Sequence, residues 1–361
     1  MNKHTASDLK QMQSLPLEAK IAMTQKRIEA WYESWKRYEI YNEETGKTRF
    51  VTATEEPPLK DGEYIESVQD GQVYVSFSGG KDSTVLKHIV DSMYDNVPSL
   101  FVNTGLEYPE LQSFVRRVKS GEFGCFNPDV EIVRPEMRFD EVVKTKGYPL
   151  VSKAVAHNVY IARRHPDGNV AKNCFDPSKT GRFAHHRWSF LIDAPFVVGD
   201  KCCDIMKKKP SKVYSAKTGR VPYLGSMADE SVLRYKNWLN NGCNSFDSSN
   251  PSSQPLSFWT ESDVLAYIKR FDVPYCSVYG DIIETERGFE TTGCDRTGCV
   301  FCGFGCHLEK GENRFQKLKR THPRQYEYCI NGGEMVDGVW QPSKEGLGLG
   351  KVLDYIGVKY D

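Results

Sequence analysis

The sequence predicts an α/β protein built on a doubly wound parallel sheet, and three observations carry that prediction. Val73 to Phe77 is a short β-branched and aromatic run, followed by a glycine turn and then a helical pattern. The same strand-then-helix alternation returns at Ser99–Val102 and again at Val130–Val133. The chain has 361 residues, enough to bury a substantial core and to form two domains or one with insertions.

Taken in order, residues 17–37 read as an amphipathic helix with Ile21, Met23, Ile28, Trp31, Tyr32 and Trp35 on its apolar side. Tyr38–Tyr41 and Thr48–Thr52 flank a polar turn and predict a β-hairpin, an inserted surface excursion without assigned chemistry. Pro57-Pro58 and Asp61-Gly62 break the chain before the central strand. After the glycine turn, Val85, Leu86, Ile89, Val90 and Met93 share one helix face, and Leu111, Phe114, Val115 and Val118 share another. Phe139 to Lys146 is a short helix. Thr260 and Asp263 form a capping-box start to a helix carrying Val264, Leu265, Tyr267 and Ile268. Glu107 is expected as a charge at a helix N-terminus.

Lys+Arg and Asp+Glu both number 48, which excludes a global electrostatic pull toward nucleic acid or membrane. No apolar run reaches transmembrane length and the start is polar, so a cytoplasmic protein without a membrane partner is expected. Residues 147–200 mix Lys153, Arg163, Arg164, Lys172, Lys179, Arg182 and Arg187 with Tyr160, Phe175, Phe183 and Trp188. That segment reads as a solvated insertion first and as a polyanion-binding surface second.

The chemistry centres on Ser78-Gly-Gly-Lys-Asp-Ser83. A glycine turn between strand and helix directs backbone N–H groups and a helix N-terminus at an anion, and Lys81 adds a point charge. Asp82 stands where a Walker A loop needs Ser or Thr, and there is no Gly-x-Gly-x-x-Gly. The expected ligand is a polyphosphate. Ser78 and Lys81 are expected at an exposed strand end, outside the core.

This loop resembles the PP-loop of the ATP pyrophosphatases. The resemblance implies an adenine nucleotide alpha hydrolase-like fold in which Lys81, Asp82 and Ser83 are catalytic. It also implies nucleotide contacts from Ser76, Ser78, Gly79, Gly80, Lys81, Asp82 and Ser83. Thr104 to Glu110 resembles the superfamily's second nucleotide-facing segment, adding Thr104, Gly105 and Glu107. Mg²⁺ would bridge the phosphates, with Asp82 contacting it through water.

Eleven cysteines include Cys202-Cys203 and the group Cys294, Cys299, Cys302 and Cys306. Such grouping favours metal over disulfides in a reducing compartment, and four thiolates suit either zinc or a [4Fe–4S] cluster. Paired cysteines followed by a distant C-x-x-C resemble the cluster signature of adenylylsulfate reductases and their relatives. That resemblance implies Cys202, Cys203, Cys299 and Cys302 as ligands, with Cys294 and Cys306 as nearby thiols. Pro255–Lys269 with Val273-Pro-Tyr275 resembles the helix and turn before the C-x-x-C in the phosphoadenylylsulfate reductase family. Gly225–Arg234 resembles that family's Gly-x-Arg-x-x-Glu-Ser segment near the phosphates, with Met227 in place of the arginine and Glu230, Ser231 and Arg234 retained.

The resemblance divides the chain into an N-terminal helix and hairpin (1–70), a nucleotide-binding α/β domain (71–255) and a cysteine-rich iron–sulfur region (256–361). Two activities compete within the family. Its reductases attack the sulfur of adenylylsulfate-type nucleotides with a tail cysteine, and the stretch Gly346–Asp361 has none. Of the cysteines outside the cluster groups (Cys125, Cys174, Cys243, Cys276 and Cys329), Cys329 is the best-placed substitute. The complete loop instead implies ATP cleaved between its α- and β-phosphates with adenylation of an acceptor, as in the small subunit of ATP sulfurylase and the iron–sulfur ATPases of DNA phosphorothioation. A sulfur-donor or reductant protein and a nucleic-acid acceptor are the partners this implies. A nucleotide- or nucleic-acid-binding module without turnover is the third reading.

Overall fold

The computed structural model describes residues 4–181, 184–246, 248–286 and 288–361. Arg182 and Phe183 of the basic segment lie outside them. Packing divides the chain into two compact units: Met1–Val102, Tyr108–Val133 and Ser211–Thr297 form the first, and Asn103–Glu107, Arg134–Pro210 and Gly298–Asp361 the second.

The first unit holds a six-stranded sheet in the order Val130–Val133, Ser99–Val102, Val73–Ser76, Val221–Leu224, Ser252–Ser253, Asn244–Ser245. All neighbours run parallel except the last pair, which is antiparallel. The α/β fold read from the strand–helix alternation is therefore the one observed. The strand Val73–Ser76 pairs Val73 with Val221 on one side and Val75 with Ser99 on the other. It is thus the point from which the sheet winds in both directions, where such folds leave a crevice at the strand ends.

The helix Lys81–Met93 buries Val85, Leu86, Ile89 and Val90, and Pro109–Lys119 buries Leu111, Phe114, Val115 and Val118. Phe139–Lys146 and the capping box at Thr260 also form as the sequence predicts. The hairpin has longer strands, Lys36–Asn42 and Lys47–Ala53, and a third strand, Glu63–Gln69, completes an antiparallel sheet. That third strand is largely exposed, so it lacks the apolar alternation that would have announced it.

Asp263 does more than cap its helix. Its Oδ2 accepts the Thr260 amide at 2.7 Å, the Thr260 hydroxyl at 2.7 Å and the buried Lys20 ammonium at 2.6 Å. One carboxylate thereby ties the N-terminal helix Leu17–Ser34 to the helix Glu261–Arg270. Asp263→Ala strands the Lys20 charge and removes the cap, so a loss of about 3 kcal/mol is expected in urea unfolding. A change below about 0.5 kcal/mol would show the pair to be energetically idle.

In the second unit, Leu150–Val151 and Gly303–Phe304 form a short parallel pair. The helices Arg314–Thr321, Pro323–Ile330 and Leu349–Tyr355 follow. Within the basic segment 147–200, the Arg163 guanidinium donates to the Phe196 carbonyl, and the Arg164 and Arg187 guanidiniums lie over the Tyr160 and Trp188 rings. No helix among the described residues is long and apolar enough to cross a membrane.

Candidate functional site

The glycine loop lies at the carboxyl end of Val73–Ser76 and opens the helix Lys81–Met93, whose N-cap is Gly80. Gly79 has φ +74°, and a Cβ there would stand 2.6 Å from Leu111 Cδ2. Both the conformation and the close approach require glycine. Gly225 follows Val221–Leu224, and a Cβ on it would meet the Ser83 Cα at 2.8 Å, so a second loop lies directly on the first.

Within the loop, the Ser83 hydroxyl is 3.0 Å from the Ser78 hydroxyl and donates to the Gly80 carbonyl at 2.9 Å. The Gly80 amide donates to Ser78 Oγ at 3.4 Å and the Lys81 amide to Tyr279 Oη at 3.1 Å. Loop amides that a phosphate oxygen would take are thus held by side-chain hydroxyls.

Ser78 is exposed as expected, but Lys81 is not: it is only 4% exposed. Its ammonium donates to the Asp295 carbonyl at 2.7 Å and pairs with Glu261 at 2.9 Å. The expectation of an exposed lysine fails because the segment Asp295–Thr297 is laid over the loop. Thr297 Oγ1 is 2.8 Å from Tyr279 Oη and would be 3.3 Å from a Cβ on Gly80.

Asp82 Oδ1 is buried and has no hydrogen-bond partner among the described residues. Burial raises its carboxyl to about 6, with Glu230 and Glu261 pushing the same way and Lys81 and Arg296 opposing. A carboxylate oxygen of this kind fits a hydrated divalent cation. Because the folded value lies above the ordinary one, Asp82 favours the fold only while protonated, and that contribution is lost as pH rises through about 6. Asp82→Asn is expected to raise the unfolding midpoint of the metal-free protein near pH 7 and to leave it unchanged near pH 3.5. Equal shifts at both pH values would mean that ionisation of Asp82 is not the cause.

A cavity of about 530 Å³ adjoins the loop. Ser76, Ser78, Ser83, Gly225, Ser226, Arg234, Asn237, Asn241 and Gln254 are among the residues lining it. The sequence-predicted Ser76, Ser78, Ser83 and Arg234 are therefore brought together. Glu230 joins them indirectly: its carboxylate pairs with Arg234 and with Arg296, and accepts the Met227 amide at 2.8 Å. Ser231 is the N-cap of Val232–Asn241.

Thr104, Gly105 and Glu107 belong to the second unit. There Glu107 accepts the Thr104 amide at 3.2 Å and its hydroxyl at 2.5 Å, closing a tight turn. Sequence reasoning missed Tyr279, Glu261, Asp295 and Thr297, all of which serve Lys81 or its amide. Their spacing has no motif, and the one available signal was a lysine with no carboxylate beside it except Asp82.

The second unit also holds Cys202, Cys203, Cys299 and Cys302. The backbone after Cys203 runs as a π-helical turn over Asp204–Lys208, a geometry frequent at functional sites. Burial raises the Cys202 thiol, and Cys299, Cys203 and Cys302 raise it further. Burial likewise pushes Cys299 up to about 11, where Lys207 lowers it and Cys302 raises it. Cys202 thus feels the charge of the other three cysteines. Among the described residues, however, no group of three or more His, Cys, Asp or Glu side chains is arranged to hold a metal ion. Thiolates on one zinc would stand about 3.8 Å apart, given a Zn–S bond of about 2.3 Å. A four-iron cluster interposes its irons and sets its ligands further apart.

Cys306 is buried and donates its thiol proton to the Gly303 carbonyl at 3.1 Å. Cys294 lies in the first unit. Cys329, the best-placed outside nucleophile by sequence, is fully buried, and burial holds its thiol well above the ordinary range.

Comparison with known proteins identifies the class. The phosphoadenosine phosphosulfate reductase domain matches residues 72–152 and 151–303. That is more than half of the chain, which therefore belongs to this family, within the PP-loop adenine nucleotide alpha hydrolase-like superfamily. An uncharacterised protein of Methanocaldococcus jannaschii is 23% identical over 268 residues, covering 72% of this chain and 47% of its own length. The chain thus spans about half of that curated relative. The crystal structure of phosphoadenylyl-sulfate reductase from Candida auris, a phosphate complex, is similar at 16% identity and a TM-score of 0.33, over 57% of this chain and 75% of that one.

Proposed function

We propose that the protein binds ATP at Ser78–Ser83 and cleaves it between the α- and β-phosphates, adenylating an acceptor in sulfur-related chemistry. The observation that carries this reading is the complete Ser-Gly-Gly-Lys-Asp-Ser loop at a helix N-terminus, with its amides and lysine held by groups a pyrophosphate would replace. The nucleoside would occupy the neighbouring cavity, whose hydroxyl and amide side chains suit a ribose and base.

In the proposed step an acceptor oxygen attacks the α-phosphorus. The new P–O bond forms as the bond to the bridging oxygen breaks, and pyrophosphate departs with the electron pair. Lys81 and the loop amides neutralise charge on that leaving group, and Asp82 would hold hydrated Mg²⁺, which would supply further charge neutralisation. The acceptor, now carrying AMP, has a good leaving group where it had a poor one.

Four cysteines in one compact unit, with Cys202 raised by the charges of the other three, support Cys202, Cys203, Cys299 and Cys302 as ligands of a [4Fe–4S] cluster. When bound, such a cluster would supply electron transfer or a sulfur-binding iron. Until then burial keeps the Cys202, Cys299 and Cys302 thiols protonated, so loading must release protons.

The reductase reading needs an ionised, mobile thiol, and the buried Cys329 is neither. The discriminating experiment is to supply ATP with Mg²⁺ and, separately, adenylylsulfate or its 3′-phosphorylated form with thioredoxin. Pyrophosphate from the first, raised by the right acceptor, and no sulfite from the second are expected. Sulfite release that disappears in Cys329→Ser would put the reductase first.

A further inference from the structure

Glu230 is where two guanidinium groups meet. Arg296 donates to its Oε2 at 2.7 Å, and Arg234 pairs with the same oxygen. One carboxylate cannot neutralise both. The Glu230 side chain is only 14% exposed, whereas that of Arg296 is 64% exposed, with five N–H donors to offer.

Arg296 is also placed by its neighbours in the chain. On one side the Asp295 carbonyl holds the Lys81 ammonium at 2.7 Å. On the other, Thr297 Oγ1 lies 2.8 Å from the Tyr279 hydroxyl that accepts the Lys81 amide. Both flanks of Arg296 are therefore anchored on the phosphate loop, and its charge is felt at Asp82. Position 227 carries methionine, and its amide donates to this same Glu230.

We propose that Arg296 is the second cation of the polyphosphate site: when ATP binds, its guanidinium gives up a contact with Glu230 for one with the β- or γ-phosphate. A triphosphate brings more negative charge than Lys81 alone balances, and a planar guanidinium suits phosphate oxygens. This inference rests on the ATP reading above, and names the residue that would make the site select a triphosphate over a monophosphate.

The test is calorimetric titration of the full-length protein, wild type and Arg296→Ala, with Mg²⁺ and either α,β-methylene-ATP or AMP. Arg296→Ala is expected to weaken the triphosphate at least about tenfold, the usual worth of one charge-assisted contact, and to leave AMP unchanged. Arg296→Lys should fall between. Unchanged triphosphate affinity, or an equal loss for both nucleotides, would overturn the proposal. Lys81→Ala in the same series separates the two readings. If that variant loses the triphosphate and Arg296→Ala does not, only the role of Arg296 fails. If wild type does not prefer the triphosphate over AMP, the ATP reading fails with it.

Discussion

Lys81→Ala is expected to lower ATP-dependent pyrophosphate release by about a hundredfold, the scale for removing one preorganised charge from a developing anion. The structure adds a second expectation. Because Lys81 is buried against the Asp295 carbonyl and Glu261, its removal also loosens the segment over the loop. The variant should therefore lose some stability, and Lys81→Met, which keeps the apolar stem, should lose less while remaining equally inactive. Pyrophosphate release and unfolding midpoints measured together on both variants decide this. Undiminished turnover in either would show that the loop does not hold the leaving group.

Iron content gives the other large effect. Protein purified without oxygen is expected to carry iron and acid-labile sulfide at about four each per chain, bound by four cysteines. Cys202→Ser, Cys203→Ser, Cys299→Ser and Cys302→Ser should each abolish most of it. Cys306→Ser should retain it, because that thiol already spends its proton on the Gly303 carbonyl, and Cys294→Ser should retain it as well. Stoichiometric zinc in place of iron, or equal loss in Cys306→Ser, would refute this ligand set.

Where short-range physics decides, the sequence was a sufficient guide. The helix faces at 85–90, 111–118 and 264–268 bury as their periodicity demands, and the strands at 73, 99 and 130 run parallel. Glycine at 79 was legible for the same reason, since a tight strand-to-helix turn leaves few residues able to take its conformation.

What only the tertiary structure decided are contacts between residues far apart in the chain. Lys81 meets Asp295 across 214 positions, and Lys20 meets Asp263 across 243. No periodicity encodes such pairs, because they depend on how separate stretches interleave within a unit. The same holds for Cys306 and Cys329, whose spacing beside the other cysteines says nothing of burial. Thiol chemistry is set by desolvation and by neighbouring charge, and both are properties of the packed environment rather than of the residue.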